Sequence, residues 1–432
     1  MDVPDRSDVD HLIDPQPLPT FARVRYEPPT ETVADPASAA QDELDTLTLD
    51  GLADGATVAV GVGSRGIHAI GDIAEAVVSS LTERGFDPVL VPAMGSHGGA
   101  TADGQREVLS ALDITEDATG APIDARMDAK RLATVTVGDT EMPVYFSAAA
   151  LDADAILVVN RVKAHTNFSG PIESGLSKMT VVGLGKQRGA KSFHSTAIAE
   201  GYVETLQAAM SVIESNTPLL GGIALVENFE EEIATVEAVP AGSFTDREPA
   251  LLEQAYDEMP TLPVSDVDLL IVDELGKEIS GAGMDTNVIG RYRVLNAPDP
   301  DDPSIQLIYA RGLTEATNGN GNGIGLADLT RQAALDQLDM KKTYANALTS
   351  GSLAKAKLPV VAPDDEFALR TALAALGGYD PEMVRILWIQ NTQDLGEMLV
   401  SKPVLPDLPD AATVRNQGTL TFTDGTAGFT ES

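Results

Sequence analysis

Three of the five histidines, His97, His165 and His194, lie in the stretches GSHGG, KAHTNFSG and KSFHS. An imidazole titrates near neutral pH and binds metals, so histidines on glycine- and serine-flanked loops are candidate acid/base groups or ligands. His11 and His68 lack that setting and read as structural or surface residues. Around two of the three, the charge inverts. From Arg161 to His194 run six bases, Arg161, Lys163, Lys178, Lys186, Arg188 and Lys191, against the single acid Glu173, in a chain of net charge −37. Such an island suits an anionic ligand, for which the surrounding field must be overcome. A basic face pairing with nearby acids is the plainer reading. Gly61-x-Gly63-x-x-Gly66 follows an apolar run and opens a helical pattern, as in a dinucleotide-binding turn. The next strand ends Val89-Leu90-Val91-Pro92 without the acid that would hold a ribose. Backbone N–H groups with Ser64, Arg65 and Gly66 at a helix start suit an anion instead. A fourth stretch, 276–287, places Lys277, Ser280, Asp285 and Asn287 in one loop after LLIVDE; it reads as a site lining or as an ordinary surface loop. The Asn-Gly stretch 317–325 reads mainly as turns.

The elements that must position these residues follow from periodicity. Apolar runs at 57–62, 88–92, 155–160, 223–226, 268–272, 305–309 and 385–389 predict buried strands. Ile70, Ile73, Val77 and Leu81 predict a helix over 67–84 that stops at Gly85. Thr101 is placed to cap a helix over 102–112. Further helices are expected over 326–340 and 364–377. Strands alternating with helices make an α/β protein with largely parallel sheets flanked by helices. The histidine loops then fall at carboxyl strand ends, where such folds build their sites. Residues 1–50 read as a polar lead-in, and the Pro- and Thr-rich tail beyond 403 carries no pattern. The composition shift at 257–266 marks a linker. The expected division is 1–262 and 263–432, with the active site in the interdomain cleft.

Composition bounds the function. The 432 residues, 43% hydrophobic, can bury a sizeable core. With no cysteine, disulfides, thiol nucleophiles and thiolate metal sites are excluded. The 66 acids against 29 bases argue against nucleic acid and anionic membranes as partners. No run reaches the roughly 18 apolar residues of a membrane span. The polar, acidic N-terminus is unlike a secretory signal, so a cytoplasmic location is expected. Only 11 of the bases are lysine. An acidic coat poor in lysine suggests a halophile, where salt near 1 M shortens the Debye length to about 3 Å.

At these residues the chain resembles the lactate racemase superfamily, whose members racemise or epimerise 2-hydroxy acids with a nickel-pincer nucleotide. The resemblance runs from about 57 to 390 and is most specific at Lys178 and His194, sixteen positions apart. It implies that Lys178 attaches the cofactor, a pyridinium-3-thioamide-5-thiocarboxylic acid mononucleotide, and that His194 ligates nickel. GSHGGAT resembles the loop of one acid/base histidine, which implies that role for His97. His165 is the candidate for the second; the thirteen positions from it to Lys178 exceed the family's spacing and mark a divergent loop. Arg65 resembles an arginine beside substrate and cofactor, and Lys277 a substrate-side lysine. Ser64, Gly66 and Lys186 are further candidate cofactor contacts. The implied activity is hydride abstraction from a small 2-hydroxy acid and its return to either face, in an isomerase served by cofactor-biosynthesis enzymes. Two other readings remain: an NAD-dependent oxidoreductase using the 61–66 turn, and a non-catalytic nickel- or nucleotide-binding protein.

Overall fold

The structure is a computed structural model that describes residues 3–49, 51–63, 66–295, 297–377 and 380–432. After short helical turns at Arg6–Val9 and Asp10–Leu12, the first strand, β1 (Phe21–Tyr26), lies inside the segment whose composition reads as lead-in. It divides into two compact units. The first comprises Thr30–His165 and Ser169–Met259; the second comprises Met1–Pro29, Thr166–Phe168 and Pro260–Ser432.

The first unit contains β2 (Thr57–Val62), β3 (Asp87–Pro92), β4 (Ala129–Val137), β5 (Thr140–Ser147), β6 (Ala155–Arg161), β7 (Leu219–Glu227) and β8 (Ile233–Pro240). Strands β4 and β5 form an antiparallel hairpin. The others form one sheet in the order β3-β2-β6-β7-β8, parallel except where β8 returns along β7. Alternate side chains enter opposite covered faces, which explains why the central strands β2 and β6 read as nearly continuous apolar runs. Val58, Val60 and Val62 of β2 enter one hydrophobic cluster, together with Leu157 and Val159 of β6. Ala59, Ile156 and Val158 enter the cluster on the other face. The helix Ile70–Glu83 covers the first face, burying the expected Ile70, Ile73, Val77 and Leu81. Helices Lys186–Glu200 and Tyr202–Asn216 cover the second with Phe193, Ala197, Leu206 and Met210.

The second unit adds β9 (Asp266–Val272), β10 (Ser304–Ala310), β11 (Leu329–Arg331), β12 (Val360–Ala362), β13 (Ile386–Ile389), β14 (Glu397–Ser401), β15 (Ala412–Thr423) and β16 (Thr426–Glu431). Their sheet has the order β12-β11-β10-β9-β13-β14-β1-β15-β16. It is parallel from β12 to β13 and antiparallel beyond. Two expectations fail here. The helix over 326–340 is replaced by strand β11, paired on both sides, and by the short helix Gln332–Asp336. Asp339 then caps a separate helix, Met340–Ser350, by accepting the N–H groups of Lys341 and Lys342 at 2.9 and 3.2 Å. Pairing to two neighbours outweighs the weak helical preference of the segment. The tail beyond 403 is no featureless end. Its threonines suit a strand, and Asp424-Gly425 supplies the two left-handed residues of a tight hairpin turn, at φ 49° and 78°.

The second unit is tied together by one buried carboxylate. Asp365 begins the helix Asp365–Ala375, and its side chain has no exposed surface. It accepts the Tyr309 hydroxyl at 2.5 Å, Arg311 Nη2 at 2.6 Å, Arg331 Nη1 at 3.0 Å and the Ala427 N–H at 2.9 Å. Burial alone would raise its pKa; the bonds from Arg311 and Tyr309 outweigh that and hold it below the usual carboxylate range. The carboxylate therefore joins the helix to β10, β11 and β16. Asp365→Asn should leave the half-buried Arg331 guanidinium without its acid partner and Arg311 with Asp273 alone, and lower unfolding free energy by about 3–5 kcal/mol. Urea unfolding at fixed salt measures this; a loss below about 1 kcal/mol, typical of a surface pair, would contradict it.

Candidate active site

The candidates of the first unit stand on loops leaving the carboxyl ends of β2, β3 and β6. After β2, Ser64 and Arg65 fall outside the described residues. Of the glycines framing them, Gly63 is a true close approach, since a Cβ there would lie 2.7 Å from Asn160 Oδ1; Gly66 faces open space.

After β3 comes the His97 loop. Its backbone turns sharply at Gly98 and Gly99, both left-handed at φ 62° and 65°. Thr101 caps the helix Ala102–Ser110 as expected, its hydroxyl accepting the Gly104 N–H at 3.1 Å. Within that helix Gln105 is fully buried. Its amide donates to Gly95 O at 3.0 Å and to His97 O at 3.4 Å. His97 itself is exposed, so a solvent-facing imidazole rides on a loop held from below.

After β6 the loop is organised by Glu173, the one acid of the basic island. Its carboxylate is buried and accepts the His165 N–H at 2.5 Å, the Gly170 N–H at 2.9 Å and the Tyr256 hydroxyl at 2.9 Å. Burial pushes its pKa up, and these bonds oppose the rise. His165 is 8% exposed, with its ring 6.3 Å from that of Tyr202. The island is only partly a surface feature. Arg161 pairs with Glu227, so one of its bases is matched by an acid of β7.

The loop runs into a short helix, Leu176–Lys178, then a wider turn, Met179–Gly183, then the helix Lys186–Glu200 that carries His194. A second buried acid, Glu248, holds the start. It accepts the Ser177 N–H at 3.1 Å and, through its other oxygen, the Ser177 hydroxyl. Desolvation pushes its pKa up to about 7 against those bonds. A side chain at Gly175 would collide with this carboxylate. The half-buried Lys178 donates to Ser174 Oγ at 3.2 Å. His194 keeps solvent-facing area, yet surrounding protein and the Lys178 charge push its pKa down to about 4. Because solvent still reaches the ring, the direction is what matters: it is neutral at pH 7 and presents a lone pair. A chain of rings links the His194 helix to the His165 loop, with His194 5.5 Å from Phe193, Phe193 6.2 Å from Tyr202, and Tyr202 in turn beside His165.

Two further candidates have other settings. Lys186, expected at the cofactor, is instead wholly buried, its amine donating to Pro92 O at 2.7 Å. Lys277 belongs to the second unit, in the loop after β9; its N–H meets Thr317 Oγ1 at 3.2 Å and its amine donates to Gly281 O. Among the described residues no cluster of three or more His, Asp or Glu side chains could hold a metal. Gln105 and Glu248 were invisible to motif reading; Glu173 was marked only as the lone acid among bases.

No family model and no curated protein matches the chain. Solved structures do. The lactate racemase apoprotein of Thermoanaerobacterium thermosaccharolyticum superposes with a TM-score of 0.51 at 13% identity, over 87% of this chain and 99% of that one. A Thermotoga maritima protein gives 0.50 at 14% identity, over 83% and 96%. The likeness is one of fold, and it is the α/β fold that the resemblance implied.

Glu248 makes stability depend on pH. The folded protein keeps its proton up to about pH 7, whereas an unfolded glutamate releases it near 4.5. The folded state thus binds more protons in that window, and this contribution to stability is lost as pH rises through it. The melting temperature of Glu248→Gln relative to the native chain should rise from pH 4.5 to 7.5; a constant difference would contradict this account.

Proposed function

We propose that this protein is a racemase or epimerase of a small 2-hydroxy acid, a member of the lactate racemase superfamily that uses a nickel-pincer nucleotide. The observation that carries the reading is the pair Lys178 and His194, close enough for the lysine charge to depress the imidazole, on a lactate racemase fold. The donor set fits the group. Imidazole suits nickel, and the neutral, solvent-reached His194 ring has a lone pair to offer it. Close by, the buried Thr180 hydroxyl has no hydrogen-bond partner.

In this reading Lys178 attaches the nucleotide through its amine and His194 directs its lone pair at nickel. Ser64, Arg65 and Gly66 would hold the phosphate end. When bound, the group supplies a two-electron acceptor that takes the substrate carbon to the planar ketone level and back. The protein must then move the hydroxyl proton. His97, exposed on its loop, and His165, set against Tyr202, take and return it, one for each enantiomer. Arg65 or Lys277 would hold the carboxylate by charge-assisted bonds. Residues up to about 262 bear the cofactor and the acid/base groups, and the remainder contributes Lys277. The cofactor-making enzymes are its partners, and a salt-rich cytoplasm its setting.

The test is production together with those enzymes, then intact mass, nickel content and a racemisation screen of hydroxy acids in high salt. Lys178→Ala should carry no nucleotide adduct. His194→Ala should keep the adduct and lose nickel. His97→Ala and His165→Ala should keep both and racemise about 10²–10⁴-fold more slowly. A native chain without an adduct on Lys178 defeats the reading.

A further inference from the structure

Lys186 combines two unfavourable features at one position. Its backbone is left-handed at φ 54°, and its ammonium has no exposed surface. A non-glycine residue is seldom left-handed, and a buried charge persists only where its surroundings reward it. Here the reward is specific. Lys186 Nζ donates to Pro92 O, the last carbonyl of β3, at 2.7 Å, and to Gln105 Oε1 at 3.4 Å. Gln105 passes the contact on, its Nε2 donating to Gly95 O and His97 O. The orientation of this amide is fixed by chemistry. A lysine can only donate and a carbonyl can only accept, so the Gln105 oxygen must face Lys186 and its nitrogen must face the loop.

The same two segments meet at their backbones. Gly95 N–H donates to Gly183 O at 3.0 Å. A Cβ at Gly183 would lie 2.5 Å from Ala93 O, and one at Gly95 would lie 3.1 Å from Val182 O. The stretch that carries Lys178 and leads to His194 is thus pressed directly against the loop that carries His97.

We propose that Lys186 and Gln105 are a positioning pair that fixes the His97 imidazole relative to the Lys178–His194 segment. The inference rests on the racemase reading for what His97 does; the contacts that define the pair stand without it. Lys186 anchors the root of the loop at Pro92, and Gln105 sets its height through two carbonyls. The neutral amide is the essential member, because a carboxylate would still pair with Lys186 but could not donate to the loop.

Gln105→Glu therefore separates the two tasks, with Gln105→Met and Lys186→Met as the variants that remove both partners' bonds. Thermal unfolding shows which variants fold. Histidine side-chain NMR of ¹⁵N-labelled apoprotein, assigned by single His→Ala variants, reads the loop directly. In Gln105→Glu the His97 signals and titration should shift while those of His165 and His194 stay. In the nickel-loaded protein, Gln105→Glu should keep the Lys178 adduct and a KM within about twofold of native, with kcat at least about tenfold lower, the mark of lost orientation. His97 signals superposing on the native ones overturn the proposal, as do equal shifts at all three histidines, which would mean a general structural role. If the native chain takes up no adduct or racemises nothing, the functional reading falls and the apoprotein spectra alone decide the pair.

Discussion

A polar group taken out of water must find a partner, and around the strand ends of the first unit that demand shapes everything else. Glu173, Glu248 and the Lys186–Gln105 pair lie buried beneath the His165 loop, the start of the Lys178 helix and the His97 loop respectively. Each finds its partners largely in the loop backbone: Glu173 in the N–H groups of His165 and Gly170, Glu248 in that of Ser177, Gln105 in the carbonyls of Gly95 and His97. The requirement runs both ways, since a loop carbonyl or N–H at such depth would also be stranded without them. Exposed or half-buried groups such as His97 and Lys178 are therefore carried by backbone that has few alternative positions.

Seen this way, the basic island divides. Arg161 is matched by Glu227 across two strand ends, and Lys186 is consumed inside. The bases other than these two are a smaller set, which includes the half-buried Lys178. The charge inversion therefore has mixed causes, and a count of bases could not separate the ones that face solvent from the one that holds a loop.

Much of the first unit was legible because its strands are covered on both faces. Continuous apolar runs such as TVAVGV and AILVVN have few competing readings, and the Ile70–Leu81 spacing has one. The second unit was harder. Three-residue strands such as β11 leave almost no period, and their pairing is decided by neighbours distant in sequence. β15 and β16 hide in a threonine-rich tail because few of their side chains are buried, Leu420 and Ala427 among them. At the site, residue type and loop position singled out His97 and His165; His194, expected on a loop, stands within a helix, and it and Lys178 were marked by the basic island and the resemblance. The braces escaped because a glutamine in a helix and a glutamate on a distant helix carry no motif; only three-dimensional proximity gives them a role.

Strand β1 has a consequence for how the molecule is made. It pairs Phe21 with Ser401 on one side and with Gly418 on the other. The first unit's sheet lies entirely between residues 57 and 240 and can be completed early in synthesis. β1, made before it, must wait for nearly the whole chain, a delay on the order of tens of seconds at usual translation rates. An unpaired apolar strand kept that long invites pairing with other molecules. Arg23 and Arg25, alternating with the buried Ala22 and Val24, give the waiting strand a charged face, so the same two residues that form surface ion pairs in the finished protein guard it while it is being built.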